Sequence, residues 1–223
     1  MRLMKNSIRL FAPLLMACVG APALAQVYTV QPLPVQWFID GGPSFPLNTT
    51  SDYFNTGWTL GGGFNIRQDP SLPFYLRTDF NFTRVNASSE LISLGQATTA
   101  TSINGGYGEI FDAQIDGVFE QPLNGFSRLY FMGGIGLAYR HIELTQSGPT
   151  ACNSFLGTCG PGLIGSSTNS VQAYDATRFA WNVGAGVDFP LGGVQSWFVE
   201  ARYERIETAQ PTEFLPIRFG FRF

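Results

Sequence analysis

Beyond residue 5 the chain contains no lysine, and it contains a single histidine, His141. Residues 26–223 carry ten arginines against sixteen Asp and Glu, a net charge of −6, which is the opposite of a nucleic-acid-binding footprint. One histidine and three cysteines leave no ligand set for a metal centre, and no cofactor motif is present. Gly61-Gly62-Gly63 is not a phosphate loop: no helix follows it, nor a Lys-Ser or Lys-Thr pair. No apolar stretch reaches the ~20 residues that a membrane-spanning helix needs.

What the front of the chain does have is an export signal. Arg2, Lys5 and Arg9 precede the apolar run 10–20, and Ala23-Leu24-Ala25 forms an A-x-A cleavage site before Gln26. Residues 1–25 therefore read as a cleaved secretory signal peptide. Leu15-Met16-Ala17-Cys18 also loosely matches a lipoprotein cleavage box, so lipidation of Cys18 is the competing reading of the same region. Cleavage after Ala25 leaves two cysteines, Cys152 and Cys159, and an even count in an exported chain predicts one disulfide. Residues 26–35 hold two prolines and read as a short periplasmic lead; residues 36–223 read as one barrel domain.

The last ten residues alternate with a period of two. Leu215, Ile217, Phe219, Phe221 and Phe223 share one face, and Pro216, Arg218, Gly220 and Arg222 share the other. Similar runs cover about 36–45, 57–67, 74–83, 106–120, 127–141, 176–189 and 196–206, which makes eight. The connections alternate long, short, long, short, long, short, then medium. That is the pattern of long outer loops and short periplasmic turns. Aromatics cluster at both ends of the runs, as at two membrane interfaces. The predicted fold class is all-β: an eight-stranded antiparallel up-and-down transmembrane β-barrel. The rival is a soluble sandwich or lipocalin-like barrel, in which the charged faces would simply meet water.

Strand parity points seven acids inward (Asp40, Asp79, Asp112, Asp116, Asp188, Glu200, Glu204) and eight bases (Arg67, Arg77, Arg128, Arg140, Arg178, Arg202, Arg218, Arg222). The set is close to neutral, and arginine suits bidentate pairing with carboxylates away from water. The carboxylate pairs Asp112/Asp116 and Glu200/Glu204 read as partners of these arginines rather than as catalytic acids.

The terminal Leu-Pro-Ile-Arg-Phe-Gly-Phe-Arg-Phe strand and the Gly/aromatic alternation, as in Gly133-Gly134-Ile135-Gly136-Leu137-Ala138-Tyr139, resemble the small eight-stranded outer-membrane barrels. These are the opacity-protein type and the transmembrane domain of outer-membrane protein A. The resemblance covers 36–223 and implies residence in the bacterial outer membrane, in contact with its lipid and lipopolysaccharide. It also implies insertion by the barrel-assembly machinery through the C-terminal strand. The resemblance does not extend to the two-domain members, since 36–223 match the barrel alone, and a wall-anchoring role through a peptidoglycan-binding domain is not expected. The lipid A deacylase barrels share a strand histidine, but His141-x-Glu143 stands in place of their His-x-Ser, which argues against catalysis at His141. The leading expectation is a non-enzymatic barrel that presents loops to an extracellular ligand or host surface. A small-solute channel is the alternative, and a lipid A-modifying enzyme the third reading. The longest loop, 142–175, is the expected recognition element, with Phe155 and Leu156 held as an apolar contact between Cys152 and Cys159.

Overall fold

The computed structural model describes residues 35–69, 71–99, 103–124, 127–147, 152–153, 158–159, 168–192 and 195–223. The predicted signal peptide, the lead up to residue 34, and Phe155 and Leu156 lie outside the described residues.

Eight strands follow in chain order: β1 (Val35–Pro46), β2 (Gly57–Ile66), β3 (Phe74–Asn86), β4 (Gly105–Asn124), β5 (Ser127–Ser147), β6 (Thr168–Gly192), β7 (Gln195–Ile206) and β8 (Thr212–Arg222). Each pairs antiparallel with its sequence neighbour, and β8 returns to β1, so the sheet closes into an up-and-down barrel. Closure removes the free edges that an open sheet would leave. Apart from the barrel, a two-residue ribbon sets Cys152 opposite Cys159.

The barrel is inside out relative to a water-soluble one. Outward Ile39, Leu60, Ile115, Ile135 and Leu137 are each about 60 % exposed, whereas inward Arg77, Arg202 and Arg218 are fully buried. A continuous exposed apolar belt of this kind suits hydrocarbon, not water, and the soluble-barrel reading fails on it. Trp37, Phe74, Phe119, Phe189, Trp197 and Phe223 stand exposed at one end of the belt, where alternation places the periplasmic girdle.

The structure departs from the sequence expectation on the outer side. β4, β5 and β6 run for 20, 21 and 25 residues, well beyond the predicted 106–120, 127–141 and 176–189. The expected loop 142–175 is paired strand as far as Ser147 and again from Thr168. Above the membrane the outward positions no longer need to be apolar, so the alternation that marks a strand fades while the ladder continues. A register shift at Leu144/Thr145 blurs the parity further.

Two expected loops also hold helices: α1 (Thr49–Tyr53) within 47–56 and α2 (Ser89–Thr99) within 84–105. The Ser88 hydroxyl accepts the Leu91 N–H at 3.3 Å, capping α2, and Leu91 and Ile92 pack on Ala87, Ile103 and Leu144. A Ser/Thr-rich composition hides a helix that tertiary packing stabilises.

The β1–β8 seam is the discontinuous part of the wall. Pairing runs from Phe38↔Arg222 to Gly41↔Phe219 and resumes at Ser44↔Pro216, skipping Gly42 and Pro43. On its other side β8 skips Leu215 and Pro216 against β7. Each proline lacks a donor, which interrupts the ladder where it sits. Amides in the outer halves of β1 and β8 should therefore exchange with deuterium faster than those of β3 and β4 in a bilayer mimic. Equal protection would show that the seam is as tight as the rest of the wall.

Candidate functional site: a layered lumen and an extended outer sheet

The inward side chains stack in layers along the barrel axis. Closest to the periplasmic end, Arg128 binds Asp188 at 2.6 Å and Glu120 at 2.9 Å, Arg67 reaches Glu120 at 3.3 Å, and Arg222 meets Asp188 at 3.0 Å. Next comes an apolar and aromatic layer: Phe38, Tyr75, Val118, Tyr130, Met132 and Phe198. Arginines stack on it, with Arg77 3.9 Å from the Phe38 ring centroid and Arg222 4.8 Å from that of Phe198.

The middle layer is fully charged. Arg77 donates to Asp79 at 2.9 Å and Glu200 at 2.8 Å and reaches Asp40 at 3.4 Å. Arg202 binds Glu200 at 2.7 Å and Asp79 at 2.7 Å, and reaches Asp116 at 3.4 Å. Arg218 holds Glu204 and donates to Asn81 at 2.8 Å. Asp112 accepts from Asn81 at 2.8 Å and Gln114 at 2.9 Å; Asp116 accepts from Asn182 at 2.6 Å. Six carboxylates thus face three guanidiniums, and carboxamides supply the donors that arginine does not. The inward set is nearly balanced over the whole lumen but not layer by layer.

Above this lies a second apolar layer, Phe54, Val85, Ile110, Ala138, Ala180, Ile206 and Phe214, against which Tyr53, Leu91 and Ile142 pack. It lies between the charged middle layer and the outer mouth.

Of the inward charges predicted from parity, the structure joins thirteen into these layers and leaves two apart. Arg140 and Arg178 sit at the outer mouth. Arg140 donates to the Thr212 hydroxyl at 2.5 Å, and Arg178 to the Thr177 carbonyl at 2.9 Å. Sequence reasoning missed Glu120 and the inward rings of Phe38, Tyr130 and Phe198. Parity pointed at them, since 120 follows 112 and 116 in step, and 38 and 198 precede Asp40 and Glu200. Their chemistry or greasiness masked it.

His141 lies on the outer extension of β5, beyond the apolar belt. Its Nδ1 is 2.6 Å from Asp175 Oδ1 and its Nε2 is 3.4 Å from Glu143 Oε2. Tyr139 donates to the same Asp175 oxygen at 2.9 Å, and Tyr107 to Glu143 at 2.6 Å. Both ring nitrogens therefore face carboxylates, and no hydroxyl nucleophile bonds to the ring among the described residues. The Asp175 hydrogen bond raises the His141 pKa; partial burial opposes it and Glu143 adds to it. Asp175 is correspondingly held below the usual carboxylate range, chiefly by His141. Because the folded pKa is raised, the stabilisation is complete below about pH 6.5 and is lost as pH rises through the folded value. His141 is the one histidine of the chain, so a single imidazole resonance reports it. Its NMR midpoint should lie above about 6.5 and fall in Asp175→Asn; an unmoved midpoint would show that the pairing is not made in solution.

Closure, an apolar exterior and a charge-filled interior define the architecture of the small eight-stranded outer-membrane barrels. Among solved structures the chain is similar to Neisserial surface protein A: 11 % identity, 84 % of this chain and 95 % of that one covered, TM-score 0.52. It is also similar to a major outer membrane protein from Thermus thermophilus: 12 % identity, 85 % and 98 % covered, TM-score 0.56. At such identities the likeness is one of fold. No family model matches the chain, and no curated protein matches it.

Proposed function

We propose that this chain is a non-enzymatic barrel of the bacterial outer membrane that displays an extended outer sheet and its loops to partners outside the cell. The observation that carries this reading is the mismatch in strand length. β1, β2, β7 and β8 have 10–12 residues, about what a tilted strand needs to cross a bilayer. β4, β5 and β6 have about twice that, so they raise a ribbon above the membrane that crossing does not require. Above Ala180, where β7 pairing begins, β6 has no strand on its β7 side among the described residues. Its main chain is an edge that a protein partner can extend.

Backbone pairing of Cys152 with Cys159 brings the two cysteines into register, which supports the disulfide reading. A bridge closing so short a loop would restrict the unfolded chain by roughly 2–3 kcal/mol in the entropy model and preorder the tip that carries Phe155 and Leu156. The layered lumen speaks against the channel alternative, since an apolar layer lies above the paired charges.

Planar bilayers and surface binding test the reading together. The wild-type barrel should show no sustained porin-like current. Shortening β5 and β6 symmetrically to the paired positions 141 and 175 should leave the heat-resistant barrel intact and abolish binding to whatever partner the wild-type surface captures. Large, stable single-channel steps would establish the channel instead.

A further inference from the structure

The chain has ten arginines beyond residue 26, and eight of them meet a carboxylate. Arg140 and Arg178 do not. All sixteen acids lie among the described residues, and residues 148–167 contain none, so no carboxylate in the outer loop is left to meet them. The two arginines are close in space. The register pairs Arg140 with Ala176 and Ala138 with Arg178, so both sit at inner-face positions of adjacent strands, one pairing step apart, Arg140 partly buried and Arg178 exposed at the mouth. The charge of Arg178 acts directly on Arg140. Two like charges held together at the rim of a barrel, neither paired with a carboxylate, form a ready site for an anion; Asp175 also lines the cavity, but its carboxylate is taken up by His141 and Tyr139.

The rim is also a cavity. Arg140 lines a space of about 590 Å³ between α1, α2, the outer parts of β5 and β6, and the 208–212 connection. A bound water takes about 30 Å³, so this is room for a small molecule rather than for a few waters. Its walls are largely apolar: Leu91 and Leu94 from α2, Ile142 and Leu144 from β5, and Tyr174 from β6. Leu94 and Tyr174 are more than half exposed, an unusual position for large apolar side chains that lie inside the mouth rather than on the lipid belt. Below, the upper apolar layer around Phe54, Ile110 and Phe214 separates the cavity from the charged middle of the lumen. The result is a blind cup with largely apolar walls, Arg140 in its lining and Arg178 beside it at the mouth.

We propose that this cup binds a single-chain amphiphilic anion, with its acyl chain against Leu91, Leu94, Ile142 and Leu144 and its carboxylate or other anionic head on Arg140 and Arg178. A free phosphate would use the arginines but gain nothing from the walls. A neutral alkane would use the walls but leave two adjacent guanidiniums uncompensated. The site shares the outer part of β6 with the edge proposed above but uses its side chains rather than its main chain, and it stands if that edge and the cysteine loop have no partner.

The probe is decanoate, titrated into the methyl-labelled full barrel in phosphatidylcholine nanodiscs. Methyl signals of Leu91, Leu94, Ile142 and Leu144 should move saturably. Those of Ile135 and Leu137 on the lipid belt report mere partition into the bilayer and should move linearly, if at all. Decanol should bind roughly tenfold or more weakly, as should decanoate to Arg140→Gln/Arg178→Gln, because a charge-assisted hydrogen bond is lost in each case. Unchanged Ile135 and Leu137 signals and retained heat resistance show that the variant still folds. Movement confined to the belt methyls would overturn the proposal. So would equal binding of decanol, or undiminished binding to the double variant.

Discussion

Arg77→Ala is expected to lower the unfolding free energy of the barrel by about 3–5 kcal/mol, the cost of stranding buried charge rather than the worth of a contact. Arg77 is fully buried and reaches three carboxylates at once. Removing it leaves Asp79 and Glu200 to Arg202, but Asp40 loses its one close ion pair and keeps only the field of the more distant Arg218. The same substitution also removes the guanidinium that stacks on Phe38. Adding Asp40→Asn to Arg77→Ala should therefore recover part of the loss, with a coupling on the order of 1–3 kcal/mol in a double-mutant cycle. Arg84→Ala is the control. Its pair with Glu109 spans 3.0 Å, but Arg84 is about two-fifths exposed, and such pairs contribute about 1 kcal/mol or less. Urea unfolding in lipid nanodiscs, read by the heat-modifiable gel shift, measures all five proteins: wild type, the two single variants and the double variant of the cycle, and the control. If Arg77→Ala unfolds at the same urea concentration as Arg84→Ala, the lumen is wet and the charged layer is not the keystone.

The strand count, their order and the inside-out polarity were all legible in the sequence, because each rests on a period-two pattern that lipid on one side and a polar lumen on the other impose together. The closing strand shows this best: Ile217 and Phe219 face out, and Arg218 and Arg222 lie buried inside. What parity does not contain is register. It places Arg140 and Arg77 on the same inner surface, yet it cannot say that one meets three acids and the other none. That difference is set by how far each strand slides past its neighbour, a quantity that leaves the in/out assignment of every residue unchanged when it moves by two.

The outer side was less legible for a different reason. A strand inside the belt is marked by greasy outward residues such as Ile135 and Leu137, but six residues further on His141 and Glu143 occupy the same face. The ladder persists there on main-chain bonds and on pairs such as His141 with Asp175, which carry no periodic apolar signal. α2 was hidden likewise, since Leu91 and Ile92 acquire their partners Ile103 and Leu144 only in the fold.

Register also explains glycines that parity alone left as small inward residues. Three rings of the lower apolar layer each lie directly across from a glycine: Phe38 opposite Gly63, Tyr130 opposite Gly186, and Phe198 opposite Gly220. A Cβ on Gly220 would meet the Phe198 ring at 2.1 Å, and one on Gly186 would meet the Tyr130 ring at 2.4 Å. The far ends of the rings come to rest over these glycines, and in a barrel this narrow there is little other room for them. Gly220→Val should therefore displace Phe198, on which Arg222 and Arg77 also stack. Overpacking alone costs about 1–3 kcal/mol, and loosening the arginines beneath the ring adds to it. The expected result is a barrel that melts far below wild type or fails to become heat-resistant. Gly220→Val with Phe198→Ala should regain much of the loss, since valine then fills space that the ring has vacated. Phe198→Ala alone should lose stability through the cavity it leaves, by about 3–5 kcal/mol. If the double variant is no better than Gly220→Val alone, the cost lies in the close main chain of β1, whose Ile39 carbonyl would also lie 2.8 Å from that Cβ, and not in the ring.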